Sequence, residues 1–552
     1  MGTMLENETV KKLVLDLEKR VEAHILEPNN LEFLKKLLAK AESEDEAISI
    51  CKLGTTYYRT GLIFDKKLEV PSDGLRIFEK NEKLSFDQGG LKNTLIIGDN
   101  YDALLNLLVE FRGKIDAIYI DPPYGANTMG EFAETNYANQ INRDNLLSML
   151  QPRLMLARQL LSPRGVIFCS IDDKNCAYLK CLFDQIFEEK NFISCSAIET
   201  NRGGRDYGGI ALQHEYLLIY CNDTMEAELN PISDPGRKFK YKDENGGFDL
   251  MELRNRNIKF NIGNRPNLCY PFYLNPNTKD KNGLFKLSLE KTDDFCIEVI
   301  PAKSQGVQTV WRWGKDKALA NLNVEIFGKE NQNGGYMIVE KYRKQTRMQR
   351  SIWDDKDFVH EVGTESVKKI FGKAMFDYPK SPKLIRRVLE LSTKEDSVVL
   401  DFFAGSGTTA QAVLDLNKTD GGKRKFILVQ LPENLESDSK NQTVLNQIEL
   451  LDSYGLPRNL AYVTADRIRR IMLGQGYDGR KDFDWIKENE AYGNSLDVYD
   501  IEEYSVYDPS VFKKIHEEYY GLPKFENIRD KIEWVCKNFE KVARKISDAS
   551  GN

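Results

Sequence analysis

The chain has 552 residues, with 78 Lys+Arg against 85 Asp+Glu and a formal charge of −7. That length suits about three to five domains or one large domain with insertions, and 41% hydrophobic with 30% charged residues excludes a disordered chain. No run of eighteen apolar residues, no apolar signal core in the first twenty residues and no CxxC among nine cysteines together exclude a membrane span and point to a reducing, cytoplasmic setting.

Residues 1–90 are charged and helical in pattern, with Leu34, Leu37 and Leu38 sharing one face, and are expected to form a helical extension without a chemical motif. From 94 the pattern changes to strands at 94–98, 115–120, 166–171 and 216–220, separated by helices over 102–111, 143–161 and about 178–186. Such alternation predicts a parallel sheet with helices on both faces. Between 223 and 365 the rhythm is lost to short, irregular strands rich in Asn, Gly, Pro and aromatics. It resumes with a helix started by Ser381-Pro382, carrying Leu384, Ile385, Val388 and Leu389 inward. A strand at 397–401, a helix at 408–416 and a strand at 426–430 follow. The expected organisation is a helical extension (1–90), two halves of one α/β domain (91–222 and 366–440), an inserted α+β module (223–365) and a mostly helical C-terminal region (441–552).

Two turns carry chemistry. Asp401-Phe402-Phe403-Ala404-Gly405-Ser406-Gly407-Thr408-Thr409 joins a strand to a helix. Glycines there permit a tight turn and close approach of a ligand to backbone N–H groups at a helix N-terminus. No lysine follows Gly407, so a triphosphate-binding loop is excluded and a nucleotide-like cofactor remains. Asp121-Pro122-Pro123-Tyr124 follows the 115–120 strand. Its prolines stiffen the loop and remove two donors, leaving a carboxylate, an outward Pro122 carbonyl and an aromatic ring. That set suits a planar base with an exocyclic amine. Four histidines without an HxxxH spacing leave no expected metal site.

The pairing of Asp121-Pro-Pro-Tyr124 with Phe403-Ala-Gly-Ser-Gly407 resembles the motif pair of amino-group DNA methyltransferases that use S-adenosylmethionine. The acceptor motif precedes the cofactor motif, as in the β-class permutation. Gly98-Asp99-Asn100, Pro152-Arg-Leu154 and His214-Glu-Tyr216 fit the same family, and Arg265-Pro-Asn-Leu268, Trp311-Arg-Trp313-Gly314 and Pro379-Lys-Ser-Pro382 resemble segments of the modification (Mod) subunit of type III restriction–modification systems. The similarity runs from about 94 to 435. It implies a permuted Rossmann-like sheet with an inserted target-recognition module, and methylation of adenine N6 in a base flipped out of duplex DNA. Asp121, Pro122, Pro123 and Tyr124 would be the catalytic loop. Asp401, Phe403, Ala404, Gly405, Ser406, Gly407 and Thr408 would hold the cofactor, with Lys380 and Ser381 bordering its methionine end and Asp99 and Asn100 its adenosine. Two departures stand out. Phe402 stands where many relatives have proline, and Gln430 ends the strand where an acidic ribose partner is common, which makes Glu433 the substitute candidate.

The resemblance further implies double-stranded DNA as partner, a homodimer and a restriction (Res) subunit supplying the nuclease and ATPase that this chain lacks. Residues 201–380 hold 29 Lys+Arg and 25 Asp+Glu, a net of +4 that leaves −11 for the remainder. Candidate DNA contacts are therefore Arg202, Arg205, Arg254, Arg256 and the run containing Lys341, Arg343, Lys344, Arg347 and Arg350. Competing readings are an N4-cytosine or RNA methyltransferase, and a DNA-recognition subunit without catalysis.

Overall fold

A computed structural model describes residues 7–22, 28–55, 74–124, 142–204, 209–436 and 439–505. It divides into two compact units, Met1–Asp65 and Lys66–Asn552. In the first, helices α1 (Glu8–Glu22), α2 (Pro28–Leu38) and α3 (Glu44–Thr55) enclose Val10, Leu17, Leu34, Leu38 and Ala47. Leu37, expected on the buried face, is 36% exposed. One residue is about 100° of helix rotation, which turns Leu37 to the margin of the Leu34–Leu38 stripe.

The second unit is built on ten strands: β1 (Gly74–Lys80), β2 (Lys92–Ile97), β3 (Ile115–Ile120), β4 (Leu161–Ile171), β5 (Phe192–Glu199), β6 (His214–Cys221), β7 (Ile352–Trp353), β8 (Val398–Asp401), β9 (Lys425–Gln430) and β10 (Ser495–Ser505). Their order in space is β1-β10-β2-β9-β8-β3-β4-β6-β5-β7. The run from β10 to β4 is parallel, while β6 is antiparallel to β4 and β1 to β10. Leu95 to Ile97, Ile118 to Ile120, Val399 to Leu400 and Phe426 to Val429 are all buried. Continuous apolar runs of this kind mark strands covered on both faces.

The covering helices are α4 (Asn100–Phe111), α5 (Asn142–Leu160), α6 (Asp173–Phe187) and, after a short α7 (Lys315–Asn321) in the inserted module, α8 (His360–Phe371), α9 (Pro382–Ser392), α10 (Thr408–Asp420), α11 (Gln442–Tyr454) and α12 (Leu460–Leu473). Helix α9 starts as expected: the Ser381 hydroxyl accepts from the Lys383 amide, Pro382 occupies the first turn, and Leu384, Ile385, Val388 and Leu389 are buried.

Two strands correct the expected boundaries. β1 lies within the supposed helical extension 1–90, and β10, within the supposed helical region 441–552, sits between β1 and β2. In β10, Leu496 and Val498 are buried while the intervening Asp497 is partly exposed, the period of two of a half-buried strand. The inserted module leaves after β6 and is pinched at its base by Ile232–Ser233 pairing with Thr346–Arg347. It holds a five-stranded and a three-stranded sheet around Phe272, Trp311, Ile326 and Ile338, and the Trp311 indole donates to the Tyr270 carbonyl at 2.7 Å. The chain rejoins the main sheet at β7 beside β5, earlier than the expected boundary at 365. Among the described residues no helix is long and apolar enough to cross a membrane.

One register positions the site. Across the parallel pair β8 and β3, Val399 lies opposite Ala117 and Leu400 opposite Ile118. Asp401 and Asp121, 280 residues apart in sequence, therefore emerge side by side at the carboxyl edge of the sheet, where open α/β sheets bind ligands.

Candidate active site

Asp121 follows the last residue of β3, and the Tyr124 hydroxyl donates back to its Oδ1. The Tyr124 carbonyl accepts from Asn175 Nδ2 at 2.8 Å. Asn175 is itself held in the first turn of α6 by Asp172, so the loop is anchored at both ends. Lys380 was expected to border the cofactor's methionine end. Its ammonium reaches Glu215 Oε2 at 2.5 Å, Tyr124 Oη at 3.0 Å and Asp121 Oδ1 at 3.2 Å. It also lies 5.2 Å from the Tyr124 ring centroid. Glu215 in turn meets His360 Nε2 at 3.1 Å. In the sequence Glu215 stands out only within His214-Glu-Tyr216 and His360 belongs to no motif, although both sit at element ends facing this edge.

With one cation shared between two carboxylates, Lys380 is only 8% exposed. Burial alone would lower its pKa, but Asp121 and Glu215 hold it above the ordinary lysine range. Burial tends to raise the Glu215 carboxyl, yet Lys380 and His360 bring it down to about 2. Burial raises the Asp121 carboxyl, Lys380 opposes that rise and Glu215 adds to it.

The Gly-rich turn is held partly from within. Asp401 accepts from the Phe403 amide at 3.0 Å and from Thr409 Oγ1 at 2.5 Å. Burial drives its carboxyl up to about 7 against those two hydrogen bonds. Asp401, expected among the residues that hold the cofactor, thus has a structural task that occupies both oxygens. Phe402 is buried and packs against Phe403, which accounts for a large apolar residue where relatives carry proline. Gly405 has φ +51°, and a Cβ there would meet only Phe403 O at 3.9 Å. Gly407, at φ +76°, caps α10 without a side-chain hydrogen bond. An open glycine face beside a helix amino end and a part-exposed Phe403 fits a cofactor that carries both a carboxylate and an aromatic base. Ser381 is committed to capping α9 and to the Asp357 carbonyl at 2.6 Å.

The C-terminal region, whose sequence carries no recognisable motif, supplies a clamp. Arg467 of α12 is fully buried and donates to Ser406 O at 2.9 Å, Ser406 Oγ at 2.7 Å, Thr408 Oγ1 at 3.1 Å and Gln411 Oε1 at 2.9 Å. Thr464 Oγ1 donates to Gly405 O at 2.6 Å. Burial pushes the Arg467 guanidinium down to about 9. Arg467→Met removes a costly buried charge but strands the turn's acceptors. Cofactor affinity measured by isothermal titration calorimetry should fall about tenfold to a hundredfold, or roughly 1.4–2.8 kcal/mol. An unchanged Kd would mean that the turn holds itself.

On the other flank, Asn100 Nδ2 donates to Phe402 O at 2.8 Å. Arg153, from the Pro152-Arg-Leu154 segment, donates through Nε to Asn100 and through Nη2 to both Asp99 oxygens at 3.0 Å. Asp99 also accepts from the Tyr101 amide at the start of α4. Asn100 thus braces the turn, with Arg153 and Asp99 behind it. Glu433 lies exposed in the loop after β9, its carbonyl accepting from Leu460 N.

Residues 115–441 match the model of the N6/N4 DNA methylase family. The chain belongs to that family. A second model, described as an uncharacterised conserved protein, matches residues 12–117. Among curated relatives, the type II methyltransferase M.KpnI of Klebsiella pneumoniae is 35% identical over 349 residues, covering 61% of this chain and 80% of that protein. The EcoPI Mod subunit of the type III system of Escherichia phage P1 is 29% identical over 478 residues, covering 78% and 69%. A solved structure of a DNA modification methylase from Thermus thermophilus aligns at 13% identity with a TM-score of 0.32, covering 74% of this chain and 98% of that one. This DNA methyltransferase therefore has type III Mod subunits among its relatives, and S-adenosylmethionine is its family's cofactor.

The methyltransferase's expected DNA contacts divide sharply. Arg343 grips Asp243 with both Nη atoms, at 2.8 and 2.7 Å, and also meets Glu325. Lys341 reaches Asp243 at 2.8 Å and packs over Phe248 and Phe327. Arg343 and Lys341 together hold the Asp243 carboxyl below its usual range. The run from Lys341 to Arg350 is thus no uniform basic face, because Asp243, about a hundred residues upstream, and Glu325 neutralise Lys341 and Arg343. Arg254 is spent on Glu252 and the Ala302 carbonyl. Arg256 also meets Glu252, and Arg202 meets Glu199, both keeping exposed side chains. Arg347 approaches Asp234 at 3.9 Å. Lys344 and Arg350 are exposed, and Arg205 lies outside the described residues.

Proposed function

We propose that this chain is the modification subunit of a type III restriction–modification system and methylates N6 of adenine in duplex DNA. The observation that carries the reading is the β3–β8 register, which brings the Asp121 loop and the Gly-rich turn to one edge. In this reading S-adenosylmethionine supplies an activated methyl group when bound. Gly405, Gly407 and the start of α10 would hold it, with Asp99, Asn100 and Phe403 at its flanks.

The protein's task is to fix the amine in line with that methyl, which replaces an encounter by a positioned reaction. Asp121 Oδ1 is engaged by Tyr124 and Lys380, so Oδ2 and the Pro122 carbonyl are assigned to the two amine hydrogens. These acceptors favour a tetrahedral nitrogen and stabilise the charge that develops there. Tyr124, anchored by Asn175, stacks on the flipped base and offsets part of the unstacking cost of a few kcal/mol. The module at 223–351, with Lys344, Arg350 and Arg256 among its solvent-facing cations, reads the DNA together with Arg202 of the loop after β5. A Res subunit with nuclease and ATPase, a homodimeric assembly and a cytoplasmic setting complete the proposal.

Asp121→Ala should reduce methyl transfer by at least about a hundredfold. The check is sequencing and nucleoside digestion of DNA from cells with and without each protein. N6-methyladenine at a fixed site with the wild type, lost in the variant, supports the assignment; N4-methylcytosine would replace the base assignment, and undiminished modification by the variant would overturn the catalytic loop.

A further inference from the structure

Tyr378 combines two features that seldom occur together in a side chain without a task. It is 65% exposed, and its backbone adopts φ +48°. A left-handed conformation is unfavourable for a bulky L-residue, and the following Pro379 favours an extended conformation at this position. Exposure leaves little apolar burial to offset that strain.

The strain persists because both flanks are pinned. Upstream, the Asp377 carboxylate accepts from Asn441 Nδ2 at 2.6 Å and Thr443 Oγ1 at 2.8 Å, and the Ala374 carbonyl accepts from Asn446 at 2.8 Å. Downstream, the Pro379 and Lys380 carbonyls press on Gly363 of α8 so closely that a Cβ there would stand 2.0 and 2.8 Å from them. Lys380 is then fastened to Glu215, Tyr124 and Asp121. The residue between these anchors has to turn outward. Its ring rests edge-on to His360, centroids 6.2 Å apart, and His360 meets Glu215 beneath the acceptor cluster. Strain held in place by over-determined surroundings is a feature of functional sites.

We propose that Tyr378 packs against the DNA beside the flipped base and holds that base in the Asp121–Tyr124 pocket. An aromatic face stacks on any nucleotide without reading its sequence, which suits a group that supports extrusion rather than recognition. This inference rests on the functional reading above.

The test uses the full chain and a duplex bearing the methylated site found by sequencing, with 2-aminopurine at the target adenine for the fluorescence readout. Tyr378→Ala should raise KM for DNA at least tenfold and diminish the 2-aminopurine rise, with cofactor Kd unchanged. Tyr378→Phe should retain both signals. Tyr378→Gly, relieved of the conformational penalty, should unfold at no lower temperature than Tyr378→Ala while sharing its DNA defect, which separates the effect from misfolding. Wild-type KM and fluorescence in Tyr378→Ala would overturn this inference alone. A wild-type chain that modifies no adenine in duplex DNA would overturn the functional reading and this inference with it.

Discussion

Lys380→Met is expected to lower the methyl-transfer rate by about two to three orders of magnitude, the scale of losing one preorganised electrostatic partner. Lys380 is the cation between Asp121 and Glu215, and methionine fills much of its volume without the charge. Two buried carboxylates would then face each other, and one of them would take up a proton. The Asp121 carboxyl, already raised by burial and held back by Lys380, should rise further once that cation is gone. Since low pH removes the carboxylate that accepts the amine, the acid limb of the kcat/KM profile should move to higher pH.

Stability should change as well. Glu215, depressed from its unfolded value to about 2, contributes stability above that unfolded value and loses it as pH falls toward 2. Lys380, raised above its unfolded value, contributes below that value and loses it as pH rises through the folded one. Near neutrality both are present, and breaking such a buried cluster costs about 3–5 kcal/mol. Lys380→Arg, which retains the charge, should recover part of the stability. Rates within threefold of wild type for Lys380→Met would remove Lys380 from the mechanism.

Gly363→Ala should be damaging, although helix propensity alone says the reverse. Alanine within a helix is favoured over glycine by about 1 kcal/mol. At this position, however, the new Cβ would stand 2.0 Å from the Pro379 carbonyl oxygen, so α8 and the 379–380 segment have to separate. Overpacking of this kind costs about 1–3 kcal/mol. Moving Lys380 by about an ångström from Asp121 should reduce turnover about a hundredfold. Thermal unfolding and single-turnover methylation would check both parts. A variant that is more stable than wild type and fully active would show that the segment relaxes elsewhere.

The parallel core and both chemical turns were legible because their signals are local: apolar runs, a Gly-rich turn between strand and helix, and two prolines between an acid and an aromatic. What stayed hidden depended on where the topology carries distant residues. Lys380 belongs to a segment that resembles a cofactor border, yet its long side chain bridges to β6 and β3. Glu215 and His360 become partners only because β6 runs antiparallel to β4 and brings its first residues to the same edge. Arg467 lies in a helix whose sequence reads as ordinary, and its role follows from the acceptors it meets. The basic run 341–350 was misleading for a related reason, since Asp243 lies next to it across the sheet rather than along the chain. β10 was readable in principle, through the alternation of Leu496 and Val498 with polar residues, but charged neighbours hid it among helices.

The strand order also bears on how the chain reaches this state. β2 is flanked by β9 and β10, so both of its neighbours are made more than 300 residues after it. At about 5–20 residues per second on a ribosome, Leu95 to Ile97 wait roughly 15–65 s for β9. β3 and β4, by contrast, pair across a short span of sequence. The acceptor half can therefore begin to assemble while β2 still has two unsatisfied edges, a hazard for intermolecular strand pairing. Slow, high-contact-order closure of the sheet follows, and expression at low temperature or with chaperones that shield apolar segments should raise the soluble yield.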